Sequence, residues 1–448
     1  MNRNRISVIF MLLTIGFLLS GCWKTQSQKE SPYSSLVKTE STLIKVLYIN
    51  NDKFYRDYGF WLKQGFPNIQ FEVVSYEEAI KKNDKQLLFE IINKENPDLI
   101  SIDHSIFEEL IKRGMLIDLE PLMVRDQYNV GQFVQPVIEY LRHDGKGRLF
   151  GLTPIFNSRA LFYNKTLFDR YQIPYPSERM TWLEVFDTAK RFPNHEVYGF
   201  EYPLSDFNPM ILVNEILLTH GLSYWGPNSK KLVQSNPQFE AIMSKVINAY
   251  QEGYIYSSEH QDTETVNVAA DASLEGMFLS GRAAMTYGNY YFLNDIEAAR
   301  FNKSASFDWS LVPEPVDRDS KDSTYNYTLY DIFAIHSNVR NQDLAWEILK
   351  YIHSDQSAKN ISLSANSGGL STLQNYVTDK WGKSLSAFHQ LHPKLDGEVK
   401  IPFNNDLAEA AKRATLDVLR GISSSKEAWN QISTVVEEQY VKRNEEAP

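Results

Sequence analysis

One stretch of this chain, residues 148–182, constrains the fold more than any other. It begins with a Thr-Pro step, at which Pro154 favours an extended backbone for the preceding residue. The apolar residues 160–163 then have the pattern of a buried strand, and residues 164–171 have the pattern of a polar helix. A strand that leads through Thr-Pro into a new strand and helix is the arrangement expected where a chain crosses between two lobes.

The same stretch also contains a start signal for a helix. Pro174 and Pro176 end the preceding helical pattern. Thr181 and Glu184 then have the spacing of a capping box, in which each side chain accepts a hydrogen bond from the other residue's backbone N–H. The spacing predicts a helix that begins at Trp182.

The N-terminal third of the chain alternates between strand and helix patterns. Apolar, β-rich runs at residues 43–49, 69–74 and 98–103 predict strands, and residues 77–93 carry apolar side chains at the spacing of one long helix. Strands that alternate with helices in this way are typical of a parallel α/β sheet.

Polar residues follow two of these predicted strands. Asn50, Asn51 and Asp52 form a predicted turn after the first strand, and Asp103 stands at the end of a later one. Ligands of open α/β sheets bind beyond the carboxyl ends of the strands, so these side chains are expected at a ligand cleft. Asp103 has an alternative role that fits the pattern equally well, the capping of the helix that follows it.

Beyond these patterns, residues 151–184 resemble a motif of the extracellular solute-binding proteins of carbohydrate ABC transporters, family 1, the maltose-binding-protein-like group. The motif runs from a Gly and a Pro through Leu-x-Tyr-Asn-Lys-x-Leu-Phe to a Pro and Thr-Trp-x-Glu. The matching residues are Gly151, Pro154, Leu161, Tyr163, Asn164, Lys165, Leu167, Phe168, Pro176, Thr181, Trp182 and Glu184. Residues 278–285 resemble a second family motif, Phe-x-x-Gly-x-Ala-Ala-Met, and Gly288 and an aromatic residue follow it. The resemblance covers nearly all of the mature chain.

The resemblance implies an α/β fold with two lobes, of the periplasmic-binding-protein-like type (type II), and a ligand cleft between the lobes. The chain would cross between the lobes near Thr153, near Ser323 and near Asn366, and residues 325–335 would form the return strand of the second crossing. The expected lobes are residues 43–153 plus 326–361 for lobe 1 and residues 154–325 plus 362–448 for lobe 2.

The resemblance also implies where a sugar ring would stack. Family members often stack a sugar on the aromatic residue after the Gly of the second motif, which is Tyr290 here, where the family often has Trp. Phe207 and Trp225 lie in polar loops between predicted helices and are further candidates for ligand-binding aromatic residues. The composition, with 25 Tyr, 25 Phe and 8 Trp, is compatible both with stacking platforms and with bulky core packing.

The hydroxyl groups of a sugar require planar polar side chains. The polar ligand-binding candidates near the predicted crossing and strand ends are Asn51, Asp103, Asn157 and Arg159. Arg159 comes just after the first predicted crossing, and its guanidinium could hold a carboxylate in a bidentate manner, as in an acidic sugar. Its alternative role is a salt bridge to an acidic residue on the surface.

The N-terminus has the pattern of a bacterial lipoprotein. Arg3 and Arg5 precede an apolar segment, residues 6–19, which is shorter than the roughly 20 residues of a membrane-spanning helix. The run Leu19-Ser20-Gly21-Cys22 then resembles a lipobox, whose cysteine is lipidated and becomes the mature N-terminus.

We therefore expect residues 1–21 to be a signal peptide, Cys22 to carry the lipid, with palmitate among its acyl chains, and residues 22–42 to be a flexible tether. Two or more acyl chains anchor a protein stably, so we expect the chain on the extracytoplasmic face of the cell membrane. The alternative is a signal peptide that is cleaved elsewhere and leaves Cys22 as a free thiol. Because Cys22 is the one cysteine of the chain, a disulfide bond within the chain is excluded.

Charge and motifs narrow the range of functions. The net charge of −10 argues against nucleic acid as a partner, because proteins that bind nucleic acid need a basic surface. The sequence contains no nucleophile elbow, no His-Glu-x-x-His motif and no phosphate loop, and its nine histidines are scattered. We therefore predict no catalytic residues, no metal site and no cofactor.

The function that these observations favour is that of a monomeric substrate-binding lipoprotein of an ABC importer. It would capture a saccharide outside the membrane, with an oligosaccharide or an acidic sugar as possible ligands, and deliver it to the permease subunits. Two alternatives remain open. The first is a membrane-anchored glycan-degrading enzyme, and the second is a binding protein for a non-sugar solute such as a peptide, a polyamine or a phosphate ester.

Overall fold

The structure is a computed structural model, and it describes residues 42–445 except 194–195, 204–207, 223–236, 258–275, 303–305, 364–367, 378, 381 and 396–404. Cys22, the predicted signal peptide and the tether up to residue 41 therefore lie outside the described residues, as do Phe207 and Trp225. Within the described part of the chain, no helix combines the length and the apolar character that a membrane crossing needs.

Strands alternate with helices along the N-terminal third, as the sequence pattern predicts. In chain order, the strands are β1 (Thr42–Tyr48), β2 (Ile69–Ser75), β3 (Leu99–Ile102), β4 (Gly151–Leu152), β5 (Ile155–Asn157), β6 (Arg159–Asn164), β7 (Tyr198–Glu201), β8 (Ala283–Asn289), β9 (Trp309–Pro313), β10 (Ser323–Thr324), β11 (Thr328–Tyr330), β12 (Ile332–Ile335), β13 (Leu370–Ser371), β14 (Asp379–Lys380), β15 (Lys383–Ser384) and β16 (His392–Pro393).

The helices are mostly short, and a π-helical turn, Tyr55–Gly59, separates the first two. In chain order, the α-helices are α1 (Asn51–Phe54), α2 (Phe60–Gly65), α3 (Glu77–Lys82), α4 (Lys85–Glu95), α5 (His104–Lys112), α6 (Glu120–Arg125), α7 (Gln135–Asp144), α8 (Lys165–Tyr171), α9 (Trp182–Ala189), α10 (Pro209–Thr219), α11 (Pro237–Gln251), α12 (Tyr291–Phe301), α13 (Gln342–Ile352), α14 (Asp355–Leu363), α15 (Asn405–Leu419) and α16 (Ser425–Glu445). The 3-10 helices are Val130–Gln132, Gln374–Tyr376 and Ser386–Phe388.

The first large sheet has the strand order β2-β1-β3-β12-β4. Strand β1 pairs in parallel with β2 and β3, whereas β12 pairs in antiparallel fashion with β3 and β4. Strand β12 thus returns from the distant part of the chain to complete the sheet that the N-terminal residues begin.

The second large sheet has the strand order β7-β8-β6-β9. Alternate residues of β6 belong to two different buried apolar clusters, Ala160 and Phe162 to one and Leu161 and Tyr163 to the other. Because side chains alternate across a strand, both faces of this sheet are covered. The apolar run predicted as a strand at residues 160–163 is therefore buried on both sides.

A small sheet of order β11-β5-β13 lies between the two large sheets, and we call it the hinge sheet. Strand β5 connects β4 of the first sheet to β6 of the second, and β11 connects the second sheet back to β12 of the first. Strands β11 and β13 both pair with β5 in antiparallel fashion. The segments that connect the two large sheets are therefore hydrogen-bonded to one another through their backbones. Thr153 and Ser323 lie shortly before β5 and β11, whereas Asn366 lies outside the described residues. The bounds of the two lobes stay a prediction.

The long helix predicted over residues 77–93 is two helices in the structure, α3 and α4. Asn83 ends α3 because it adopts a left-handed backbone conformation with φ 51°, which asparagine tolerates better than most residues. The Asp84 side chain then caps α4 by accepting a 3.0 Å hydrogen bond from the backbone N–H of Leu87.

Two other predicted elements differ from those in the structure, and the reasons are again local. The turn predicted at residues 50–52 is the start of α1, because the Asn50 side chain accepts a 2.8 Å hydrogen bond from the backbone N–H of Lys53. The return strand predicted over residues 325–335 is divided into β11 and β12, because Asp331 between them has a left-handed φ of 51°.

Candidate functional site

One end of the first sheet adjoins the hinge sheet and carries several polar groups. We call this end, which is formed by strand termini and not by an outer strand, the polar edge of the first sheet. Strands β1 and β3 end at this edge, and the antiparallel β12 begins there, opposite the end of β3. Tyr48 is the last residue of β1, Asp103 follows β3, and Asp331 precedes β12. This is the edge at which an open α/β sheet binds its ligand.

The edge of the second sheet that adjoins the hinge sheet is also polar. Strand β6 begins here with Arg159, which is paired with Asn289 at the end of β8. Tyr202 follows the end of β7, and Glu314 follows the end of β9. The polar edges of the two large sheets therefore flank the hinge sheet, and together they form the candidate ligand site.

At the first edge, the carboxylate of Asp331 accepts two hydrogen bonds from tyrosine side chains. The hydroxyl groups of Tyr48 and Tyr58 donate to its Oδ2 atom over 3.0 Å and 2.8 Å. Burial of the carboxylate raises the pKa of Asp331 above its usual value, while Lys53 and the two hydroxyl groups act in the opposite direction. Lys53 also forms an ion pair with Asp57. These contacts join β12 to the helical segment that follows β1.

At the second edge, Arg159 forms an ion pair with Glu215 of α10. Arg159 Nη1 donates to Glu215 Oε1 over 2.6 Å, and the same nitrogen lies 3.4 Å from the hydroxyl of Tyr202. The guanidinium also lies over the ring of Tyr287, 5.3 Å from its centroid, which is a cation–π contact. Burial raises the pKa of Glu215 above its usual value, although Arg159 acts in the opposite direction.

A second carboxylate, Glu314, belongs to the same hydrogen-bonded group and is only 2% exposed. It accepts hydrogen bonds from the hydroxyl of Tyr287 over 2.8 Å, from the hydroxyl of Thr324 and from the side-chain amide of Asn326. The Tyr287 hydroxyl also lies 3.4 Å from Glu215, so this tyrosine stands between two carboxyl groups. Burial raises the pKa of Glu314 above its usual value because the charged form is poorly solvated there.

The second crossing segment is bonded to both large sheets. Asn326 donates to Glu314 next to the second sheet, and Asp331 accepts from Tyr48 of the first sheet. Residues 327–330 lie between these two attachments and include β11 of the hinge sheet. The two ends of the segment are therefore fixed to different sheets, with a short stretch of chain between them.

Two of the polar residues that the sequence predicts for the site lie at the first edge. Asp103 caps α5, because its Oδ1 accepts a 3.1 Å hydrogen bond from the backbone N–H of Ile106 and a 2.8 Å hydrogen bond from the hydroxyl of Ser105. The capping role left open by the sequence is therefore present, and Asp103 lies at the predicted edge as well. Asn51 is exposed as the first residue of α1.

The predicted residues of the first crossing lie at the second edge and in the hinge sheet. Asn157 of β5 is buried, and its Oδ1 accepts a 3.3 Å hydrogen bond from the backbone N–H of Tyr290. Tyr290 is 4% exposed, whereas Tyr291 is 42% exposed and its hydroxyl donates a 2.8 Å hydrogen bond to the carbonyl of Gly368. A role of Tyr290 in stacking stays a prediction, and so does a ligand role for each of the other predicted residues.

The alternative role for Arg159 expects an acidic partner on the surface. Arg159 does form an ion pair, but its partner is the largely buried Glu215. Sequence reasoning missed Glu215, although it is the one charged residue of α10, whose sequence is PMILVNEILLT. A single carboxylate in an apolar helix indicates a buried charge that needs a partner. Asp331, directly before the apolar and buried strand β12, gives a similar signal and was missed as well.

Among the described residues, no cluster of three or more His, Cys, Asp or Glu side chains has an arrangement that could hold a metal ion. The charged groups of the two edges are instead bonded to tyrosine hydroxyls, to an asparagine amide and to one another. The candidate site therefore combines buried, hydrogen-bonded carboxyl groups with the partly exposed side chains of Arg159 and Tyr202 and the exposed Tyr291.

Comparison with known proteins agrees with this architecture. A sequence model of the bacterial extracellular solute-binding protein family matches residues 60–359 of the chain. A protein of Brucella abortus (strain 2308) that is named as a binding protein is 22% identical over 364 residues, which cover 79% of this chain and 81% of the relative.

Solved structures of similar proteins cover nearly the whole chain. An extracellular solute-binding protein family 1 member from Alicyclobacillus acidocaldarius has a TM-score of 0.66 at 14% identity, over 90% of this chain and 100% of its own. The sugar-binding protein MalE of Xanthomonas citri has a TM-score of 0.61 at 16% identity, over 90% of this chain and 98% of its own. A substrate-binding protein of Listeria monocytogenes in complex with cycloalternan has a TM-score of 0.54 at 16% identity, over 89% of this chain and 99% of its own. At these identities the likeness is one of fold, and the two-lobe α/β fold that the sequence predicts is confirmed.

Proposed function

The chain belongs to the bacterial extracellular solute-binding protein family, and on that premise we propose that it captures a saccharide outside the membrane and delivers it to the permease of an ABC importer. The observation that carries the proposal is the pair of polar sheet edges that flank the hinge sheet. A ligand held between them contacts both lobes at once, which favours the closed arrangement of the lobes.

The side chains at these edges suit a sugar. Tyr202 and Tyr291 offer aromatic rings that are at least partly exposed, and Asn157 and Arg159 are the proposed planar polar groups for hydroxyls. Structural neighbours support this ligand class, since one is bound to cycloalternan, another to maltotetraose and a third to D-mannitol. The residues that we propose as ligand contacts remain Tyr290, Trp225, Phe207, Asn51, Asp103, Asn157 and Arg159.

We further propose that the protein acts as a monomer held on the outer face of the cell membrane. The lipobox-like run that ends at Cys22 supports a signal peptide over residues 1–21 and a lipid on that cysteine.

The lobes are proposed as residues 43–153 plus 326–361 and residues 154–325 plus 362–448. Binding and transfer, without chemical change of the sugar, are the proposed activity.

The test is calorimetry of the purified protein with maltotetraose, cellotetraose and galactotriose, followed by chromatography of the recovered sugars. We expect saturable binding of at least one sugar, and we expect every sugar to be recovered intact. Shortened or eliminated products would favour the glycan-degrading enzyme instead. Saturable binding of a peptide, a polyamine or a phosphate ester, with no sugar bound, would favour the non-sugar alternative.

A further inference from the structure

Arg159 and Glu215 form an ion pair at the polar edge of the second sheet, beside the hinge sheet. Arg159 is the first residue of β6 and follows the hinge strand β5 with one residue between them. Its side chain is 34% exposed, whereas the side chain of Glu215 is 11% exposed. A molecule in the cleft therefore reaches the guanidinium more readily than the carboxylate that neutralises it.

The pairing leaves Arg159 with further hydrogen-bond donors, while the ion pair as a whole has little net charge. A guanidinium carries five N–H groups in a planar fork. In the described part of the chain, the hydrogen bonds of Arg159 run through Nη1, to Glu215 and to Tyr202, while the ring of Tyr287 lies against the guanidinium. The remaining N–H groups are suited to the hydroxyl groups of a sugar, which need donors but no counter-charge.

A carboxylate on the ligand would meet less favourable surroundings. Glu215 already accepts from Arg159 Nη1 over 2.6 Å, so a ligand carboxylate that bound the remaining N–H groups would lie close to a second carboxyl group. Like charges at short range repel one another, and a protein discriminates between ligands by such repulsion as well as by attraction.

We propose that Glu215 determines the charge selectivity of the saccharide site, so that the site favours neutral over acidic sugars. The inference rests on the proposed function and chooses between the two sugar classes that the sequence leaves open. Glu215 acts through Arg159 and is therefore a positioning residue. With Glu215 present, Arg159 serves sugar hydroxyls; without it, the arginine carries an unpaired charge that binds carboxylates in a bidentate manner.

The test compares the wild type with Glu215→Gln by calorimetry. The probes are maltotetraose, cellotetraose and galactotriose, each beside the counterpart in which the terminal CH₂OH group is oxidised to a carboxylate. We expect the wild type to bind at least one neutral probe at least about tenfold more tightly than its uronate, a difference of about 1.4 kcal/mol. In Glu215→Gln this preference should shrink by about tenfold or more, because Arg159 loses its partner.

Two further variants separate the effect of Glu215 from a general change of charge. Glu252→Gln makes the same substitution in an exposed ion pair with Lys190, and it should leave the preference unchanged. The double variant Arg159→Gln/Glu215→Gln removes both charges, and its preference should return toward the wild-type value. A double variant that gains uronate binding as strongly as Glu215→Gln would overturn the role of Arg159 in the proposal.

The remaining outcomes are also decisive. Equal binding of neutral and acidic probes by the wild type would overturn the inference without any variant, and so would an unchanged preference in folded Glu215→Gln. In both cases saccharide binding itself would stand. A wild type that binds none of the six probes would contradict the proposed function and the inference with it.

Discussion

The hydroxyl group of Tyr58 donates a 2.8 Å hydrogen bond to the carboxylate of Asp331, although 273 positions separate the two residues along the chain. Asp331 lies between the hinge strand β11 and strand β12, and Tyr58 lies in the π-helical turn that follows α1. Tyr48 donates to the same carboxylate oxygen. Side-chain hydrogen bonds therefore attach the hinge sheet to the polar edge of the first sheet.

Replacement of Asp331 by asparagine should destabilise the protein. Asparagine tolerates the left-handed backbone at this position, so the loss reports on the carboxylate rather than on backbone strain. Because the amide oxygen of asparagine is a weaker acceptor for the two tyrosine hydroxyls, we expect the free energy of unfolding to fall by about 1 kcal/mol in urea denaturation. Tyr58→Phe, which removes one donor, should cost about 1 kcal/mol. An Asp331→Asn protein as stable as the wild type would show that these bonds do not hold the hinge.

Glu314 and Asp308 should affect the pH dependence of stability in opposite directions. Burial raises the pKa of Glu314, so its stabilising contribution is complete below the unfolded value of 4.5 and is lost as the pH rises through the folded value. Lys383 and Lys165 lower the pKa of Asp308 from 3.8 to about 2, so its contribution is present above the unfolded value and is lost as the pH falls.

Thermal melts between about pH 3 and about pH 8 test this difference. Relative to the wild type, Glu314→Gln should gain stability as the pH rises, whereas the deficit of Asp308→Asn should shrink as the pH falls. The same direction of change in both variants would contradict the assignment of a buried carboxyl to Glu314 and a paired one to Asp308.

Tyr290 and Tyr250 are both buried, at 4% and 1% exposure, but only Tyr290 lies next to the hinge sheet. Loss of a large buried aromatic side chain costs about 3–5 kcal/mol, so both alanine variants should melt at lower temperature. At a temperature where both are folded, Tyr290→Ala should also bind saccharide more weakly, whereas Tyr250→Ala should bind like the wild type. Wild-type affinity in Tyr290→Ala, measured by calorimetry, would place the ligand on another loop.

Cys22→Ser should abolish lipid attachment. The hydroxyl of serine cannot form the thioether to diacylglycerol, so the variant should lose its radiolabelled palmitate and fail to mature at this position. The matched change Ser20→Ala, which spares the thiol, should keep the label. A palmitate label that persists in Cys22→Ser would end the lipoprotein proposal.

The sequence predicts well those elements that local contacts create. The capping box at Thr181 and Glu184 is present in the structure, with both reciprocal hydrogen bonds, and α9 begins at Trp182 as the spacing predicts. The strand predicted at residues 160–163 lies within β6. In each case the residues that form the element are also the residues that carry the signal.

The contacts that build the site are not local, and the sequence does not predict them. Arg159 and Glu215 are 56 positions apart, and Tyr48 and Asp331 are 283 apart, so neither spacing nor periodicity connects them. Asn83 shows the same limit on a small scale. The apolar pattern continues through it as one helix, whereas its left-handed backbone divides the helix in two.

We expect a saccharide to bind between the two lobes and to draw them together about the hinge sheet. The decisive measurement is small-angle X-ray scattering of the protein, with and without a sugar at a concentration that saturates binding in calorimetry. The radius of gyration should be smaller with the sugar, because contacts to both polar edges favour the closed state. Saturated binding with an unchanged radius of gyration would contradict this expectation.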